Sequence, residues 1–255
     1  ASSDPYILRR IAEAELIWFA GGDQGKYYDY WAGTPAGDLM SAIAESRKKV
    51  MGGTSAGMMI LGGILYAPTG TGVISGESLA DPYHFHMQEL RYNTFMKTAT
   101  FRDVVFDTHF DQRDRAGRTL TFMARAAKDK GIRARAIACN EHTAICIDEN
   151  NQARVYGDPD SGIDIAYFLE ANCEDTWQPQ IVEAGKPLTW TTVHQNAVIV
   201  QAVAGSDEDK PVFNLNEWKS APGADLMHWQ AKNGTLEKKT SQTSDCRGVP
   251  SGTGY

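Results

Sequence analysis

Between residues 5 and 131, short continuous apolar runs alternate with segments of helical periodicity, and this alternation leaves few architectures open. "ELIWFA" (15–20), "VMGG" (50–53) and "DVVFDTHF" (103–110) lack the polar–apolar alternation of a strand with one wet face. Each reads as a buried strand of a parallel sheet. Helices separate them. Asp4-Pro5 starts the first, with Asp4 as N-cap and Pro5 at the first helical position, and Ile7, Leu8, Ile11 and Ala12 follow at helical spacing. Residues 36–49 form a second helix that closes on basic residues, "AGMMILGG" (56–63) a third, and Arg115 to Lys130 a fourth that Gly131 stops. The expectation is an α/β chain built from βαβ units, with a mostly parallel, doubly wound sheet.

Beyond Arg133 the pattern changes. "ARAIACN", "HTAICIDEN" and "ARVYGD" read as short strands of an antiparallel meander, with "IDIAYFLEA" (163–171) and "NAVIVQAV" (196–203) after them. The last fifty or so residues are polar and turn-rich and read as loosely held. With neither an internal repeat nor a clear linker, the expectation is one α/β domain over 1–255 with an antiparallel C-terminal extension, in which about 185–255 is an extension or tail. Doubly wound domains normally begin with a strand, and this chain begins with a helix, so it reads as lacking an upstream N-terminal part.

Composition narrows the partners. A formal charge of −7 argues against nucleic acid, which selects a basic face. No apolar stretch approaches bilayer length, so a membrane role is not expected. The four cysteines (Cys139, Cys146, Cys173, Cys246) form no CxxC pair and suggest no structural zinc. His84 and His86 in "DPYHFHM" could bind a metal, but nothing else there has ligand spacing, and they read as loop residues.

Gly53-Thr54-Ser55-Ala56-Gly57 fits the G-x-S-x-G nucleophile elbow, in which a sharp strand-to-helix turn raises a serine above the sheet. Ser55 then sits at a helix N-terminus, where the dipole and the N–H of Ala56 can stabilise an oxyanion. With 24 glycines in the chain, a turn that merely needs small residues produces the same pattern. His109 follows the strand 103–110, at the sheet edge where α/β folds build sites, and a serine needs such a base. Glu141 in "ACNEHTA" (138–144) can orient an imidazole. "GGDQ" (21–24) offers backbone N–H groups at Gly22 and Asp23, and Gln24 as a substrate-facing side chain. Arg113, Arg115 and Arg118 read equally as a fork for carboxylates or as a solvated face paired with Asp107, Asp111 and Asp114.

Taken together, "FAGGDQ", "GGTSAGM", "DTHFDQRDRAGR" and "NEHTA" resemble the cyanophycinase and aspartyl dipeptidase family of serine peptidases, the cyanophycinase branch most closely, over residues 5 to 160. The resemblance implies a class I glutamine amidotransferase-like fold, a Ser-His-Glu triad, no metal and no cofactor. It implies Ser55 as nucleophile, His109 as general base and Glu141 as its orienting acid. The oxyanion hole is then formed by the N–H groups of Ala56, Gly22 and Asp23, and Gln24, Asp107, Arg113 and Arg118 are substrate contacts. The implied reaction is hydrolysis of cyanophycin, multi-L-arginyl-poly-L-aspartate, to β-Asp-Arg dipeptides. The family also suggests a homodimer, to which "ILGGILYAP" (60–68) contributes either surface or core. The long tail leans toward secreted members, in which a Cys173–Cys246 disulfide is expected.

The chain departs from the family pattern in three places. Met58 replaces an alanine after the elbow, "ACNEHTA" stands where members read close to "GIDENTA", and residues 76–95 form an insertion near the site. An aspartyl or isoaspartyl dipeptidase, and a catalytically silent binding protein on the same fold, are the alternative expectations.

Overall fold

The fold is described from a computed structural model of residues 2–172, 177–192 and 194–241. These residues fall into two compact units, one within 2–73 and 85–108, the other within 74–84 and 109–241.

The first unit follows the expected alternation. Helix α1 (Pro5–Glu13) starts where Asp4 accepts the Tyr6 N–H at 2.8 Å. Strand β1 (Leu16–Phe19) leads through "AGGD" to α2 (Gln24–Trp31) and α3 (Pro35–Ser46), the latter capped by Thr34 and ended by Arg47 in left-handed conformation. Strand β2 (Val50–Gly53), helix α4 (Ala56–Met59) and strand β3 (Ile64–Tyr66) complete the run. A single 3-10 turn at Phe85–Met87 precedes β4 (Leu90–Tyr92) and β5 (Val104–Asp107). β1 and β2 pair in parallel, as do β3 and β5, while β4 adds to β3 antiparallel.

The core gathers Phe19, Met40, Ile60, Leu65, Phe95 and Met96, with the stacked rings of Tyr27 and Trp31 (4.9 Å, one helical turn apart) packed in from α2. Ile60, Ile64, Leu65 and Tyr66 are all buried, so "ILGGILYAP" is core. The expected eight-residue helix there is only the four-residue α4, because the Gly62-Gly63 backbone packs against Arg102 and Val104 and turns the chain into β3. β1 is not the buried strand its composition suggested. Its inward residue Phe19 is 4% exposed, whereas Leu16 and Trp18 on the other face are 54% and 60% exposed. The Trp18 ring lies across Gly52 of β2, where any Cβ would stand 2.6 Å from it.

The second unit is mostly antiparallel. Helix α5 (Ser75–Ala80) packs on α6 (Ala116–Lys130), which ends at Gly131 with φ 64° as expected. Tyr83 donates to Asp129 (2.6 Å), and Arg125 donates both to Asp129 (2.8 Å) and to the Pro82 carbonyl (2.7 Å). Burial and the Asp129 carboxylate push the Tyr83 phenol up to about 12. These bonds latch the first half of the 76–95 insertion onto α6, while the second half supplies β4 of the first unit.

Strands β6 (Arg135–Cys139), β9 (Ile165–Ala171), β10 (Val198–Ala204), β13 (Asp225–Lys232) and β14 (Thr235–Ser241) lie side by side, each antiparallel to the next. A smaller sheet holds β7 (Ala144–Ile147), β8 (Gln152–Tyr156), β11 (Phe213–Asn214) and β12 (Lys219–Ser220) in the order β12-β11-β8-β7.

Three expectations therefore change. Parallel pairing does not dominate, and the fold is a mixed α/β arrangement. The 135–156 segment is not one meander, because β6 pairs with β9 while β7 and β8 form a separate hairpin. The last fifty or so residues are not loosely held up to Ser241: β13 and β14 pair along their length, and Trp229 and Ala231 are 1% and 0% exposed. Cys139 is buried and Cys146 exposed, and the expected Cys173–Cys246 bridge lies outside the described residues.

Successive residues of β9 point to opposite faces. Phe168 stacks on Phe213 (3.8 Å) beneath the small sheet, while Tyr167 on the other face meets Phe110 (4.9 Å). Phe110 also stacks on Trp229 (6.2 Å), and these contacts anchor the segment that carries His109.

His228 of β13 is 6% exposed, and its Nε2 finds no hydrogen-bond partner among the described residues. Burial, helped by Lys239 opposite it on β14, pushes its pKa below that of a free imidazole. The unfolded chain therefore binds this proton below about pH 6.5 while the folded chain resists it, and stability falls as pH drops through that range. Glu170, across Ile199 from His228, is shifted upward by burial and has the opposite effect at lower pH. The difference in melting temperature between the native protein and His228→Gln isolates the histidine. The native protein should lose ground to the variant progressively from pH 7.5 to pH 5, and parallel curves would remove His228 as the cause.

Candidate active site

Ser55 stands at the turn between β2 and α4 with φ 53° and ψ −118°, a conformation that L-residues rarely occupy and that costs about 1–3 kcal/mol. The turn is held by Thr54 N–H donating to the Phe19 carbonyl (2.9 Å), and by the Ser55 carbonyl accepting from Met58 (2.9 Å) and Met59 (3.0 Å).

The two flanking glycines are needed for space. A Cβ on Gly53 would lie 2.3 Å from the Gly57 backbone, and a Cβ on Gly57 would lie 2.1 Å from the Phe19 carbonyl oxygen. Only hydrogen fits at Gly53, where the chain folds back on Gly57, and at Gly57, where the elbow is pressed against the end of β1. As the first residue of α4, Ala56 carries an N–H with no acceptor inside the helix. A four-residue helix adds little dipole, so the individual N–H is what this turn offers an anion.

The loop after β1 comes close to the same turn, since a Cβ on Gly21 would stand 3.5 Å from the Ser55 Cβ. Gly22 has φ 151°, a backbone that favours glycine. Asp23 is the N-cap of α2 and accepts from Gly25 (2.9 Å) and Lys26 (3.3 Å), so its carboxylate is committed to the cap and its backbone is fixed. Gln24 opens α2 and is half-buried. Asp107 ends β5, fully buried, with Oδ1 accepting the Thr108 N–H at 2.9 Å.

In the second unit, His109 Nδ1 lies 2.6 Å from Glu141 Oε1. This brings together the two residues proposed from sequence as base and orienting acid, although 32 positions separate them. His109 has φ 49°, a second strained residue of the set. The hydrogen bond from His109 holds the Glu141 carboxyl below the usual range, and the nearby charges of Arg113 and His142 act in the same direction. Glu141 is therefore an anion at neutral pH, and its contact with Nδ1 orients the imidazole ring.

The arginines divide. Arg113 is exposed and precedes the helix, whereas Arg118 lies inside α6, 5% exposed, with its guanidinium 5.7 Å from the Phe122 ring centre. The helix begins one residue later than expected, with Arg115 at the N-cap position.

Sequence reasoning missed the environment of Asn140. Its side chain accepts the Asp111 N–H (2.9 Å) and donates to Asp111 Oδ2 (2.8 Å) and to the Ile163 carbonyl (2.8 Å). The departure from the family pattern at "ACNEHTA" was the available signal.

No family model matches the chain, and no curated protein does. Among solved structures, the chain is similar to one described as the crystal structure of a peptidase from an acI-B1 Actinobacterium, with 15% sequence identity and a TM-score of 0.46. That similarity covers 81% of this chain and spans 63% of the length of the other.

Proposed function

We propose that the chain is a serine-type exopeptidase that hydrolyses cyanophycin to β-Asp-Arg dipeptides by a Ser-His-Glu mechanism. The observation that carries this reading is the strained backbone of Ser55 inside a glycine-flanked elbow, because such strain persists where a side chain must be presented. The 2.6 Å His109–Glu141 pair supports it, as does the sequence resemblance.

In this mechanism Ser55 Oγ attacks the aspartyl carbonyl carbon while its proton passes to His109 Nε2. The N–H groups of Ala56, Gly22 and Asp23 receive the oxyanion. Collapse breaks the C–N bond, and His109 returns the proton to the leaving amine. Water, deprotonated by the same imidazole, then releases the acyl group from Ser55. Glu141 stays ionised and holds the imidazole.

Gln24, Asp107, Arg113 and Arg118 are the substrate contacts the resemblance implies; Asp107 and Arg118 are 0% and 5% exposed, so the reading rests its contacts on Gln24 and Arg113. Arg113 is the exposed cation beside the pair and suits a substrate carboxylate. Arg113→Ala should raise KM by roughly tenfold with a smaller change in kcat, as expected for a contact made equally in the ground and transition states. An equal fall in kcat alone would assign Arg113 to the chemical step.

The reading is tested by incubating the protein with purified cyanophycin and, in parallel, with Asp-X and isoaspartyl dipeptides. Release of β-Asp-Arg from the polymer is expected. Turnover of dipeptides alone would replace cyanophycinase with dipeptidase, and turnover of neither would leave a silent binding protein.

A further inference from the structure

We propose that Asn140 is the positioning residue of the His109–Glu141 pair, acting through Asp111 and Tyr167. The inference rests on the reading of His109 and Glu141 as base and orienting acid.

Two short segments must be held in register for that pair to exist: the turn after His109 and the end of β6. Asn140 is 3% exposed and directly precedes Glu141 in the chain. Its amide oxygen accepts the Asp111 N–H (2.9 Å), and its amide nitrogen donates to Asp111 Oδ2 (2.8 Å), so one planar group grips both the backbone and the side chain of Asp111. Asp111 lies two residues beyond His109.

The same Oδ2 accepts the Tyr167 hydroxyl at 2.5 Å. Burial and the Asp111 carboxylate push that phenol well above its ordinary range, so it remains a donor at any working pH. Asn140 is in turn fixed by its own N–H to the Ile165 carbonyl (3.0 Å) and by its amide nitrogen to the Ile163 carbonyl (2.8 Å). Beside these bonds the Phe110 N–H reaches the Cys139 carbonyl (3.2 Å), and the Glu141 N–H reaches Gln112 Oε1 (3.2 Å).

The grip is directional. Only a group with an acceptor and a donor on one plane satisfies both ends of Asp111. Asparagine does this at every pH, and an aspartic acid does it only while the facing carboxyl groups share a proton. A strained His109 at φ 49° needs such over-determination to keep Nδ1 on Glu141.

The test uses the full chain and follows the downfield NMR resonance of the His109 Nδ1 proton, assigned by its loss in His109→Gln, together with kcat and KM on the aspartyl substrate. Asn140→Ala should fold, lose or broaden the resonance, and lower kcat about tenfold to a hundredfold with KM within about twofold, because misplacement by about 1 Å costs that much. Asn140→Asp should keep the resonance at the acid end and lose it, with activity, as pH rises through the range where the native protein is unaffected. Asp111→Asn, which keeps acceptors for Tyr167 and Asn140, should retain the resonance, and its loss there would overturn the proposal.

A folded Asn140→Ala with native resonance and kcat overturns the proposal, as does a native protein without the resonance. An Asn140→Asp variant that behaves alike at all pH values also overturns it. If Asn140→Ala fails to fold, Asn140→Asp and Asp111→Asn decide the matter. If the native protein hydrolyses no aspartyl peptide, the function reading fails while the resonance still decides the positioning role.

Discussion

Ser55→Ala is expected to lower kcat on the aspartyl substrate by on the order of 10⁴-fold or more while leaving the fold and the melting temperature close to native. The substitution removes only Oγ. Alanine keeps the Cβ, and it occupies φ 53° at much the same cost as serine, so the elbow and its bonds from Thr54 to Phe19 should persist. Under the proposed mechanism, what disappears is the atom that would form the acyl-enzyme, and neither His109 nor the N–H groups could replace it. Residual turnover would report the oxyanion donors and substrate binding alone. Undiminished hydrolysis by this variant would falsify the serine mechanism. A fluorophosphonate that labels the native protein and not the variant gives the same answer without substrate.

Gly57→Ala is the largest stability effect expected, about 3 kcal/mol or more. The new methyl would meet the Phe19 carbonyl oxygen at 2.1 Å and the Ala20 carbonyl oxygen at 2.7 Å, and both are backbone atoms without freedom to move aside. Overpacking against a flexible side chain is relieved by a rotamer change, but here β1 and the elbow must separate. That separation also removes the Thr54-to-Phe19 bond and shifts Ser55 away from the Gly21 loop, so activity should fall together with stability. Chemical denaturation at matched m-values measures the first effect. A melting temperature within a few degrees of native would show that the turn is looser than these distances imply. Gly21→Ala is the useful contrast, since its Cβ would make only ordinary contacts at 3.5 Å.

The helices and buried strands that carry the candidate residues were legible because their signals are local. Asp4-Pro5 starts α1, Gly131 stops α6, and the apolar run before His109 is β5 with every residue buried. The errors have a common physical cause: pairing is non-local. Nothing in "ARAIACN" states that β6 pairs with β9, 26 or more residues later, and not with the adjacent β7. β13 looked like tail because Asp225, Lys232 and the polar residues of β14 mask a strand whose Trp229 and Ala231 are fully enclosed. β1 looked buried because its composition is apolar on both faces, and only packing shows that Leu16 and Trp18 face outward.

For the candidate site, residue types and spacing were enough to nominate a serine in a glycine elbow, a histidine after a strand, and a glutamate after the next. Those choices depend on side-chain chemistry, which a sequence states outright. Tertiary structure alone decided three things. It set Ser55 in a left-handed, strained turn with no room for a Cβ at Gly53 or Gly57. It brought Glu141 to 2.6 Å from His109, and it made Asn140 the amide that grips Asp111 next to that pair. The last two are distances between atoms remote in the chain, and all three are fixed by packing and not by the residues' own preferences.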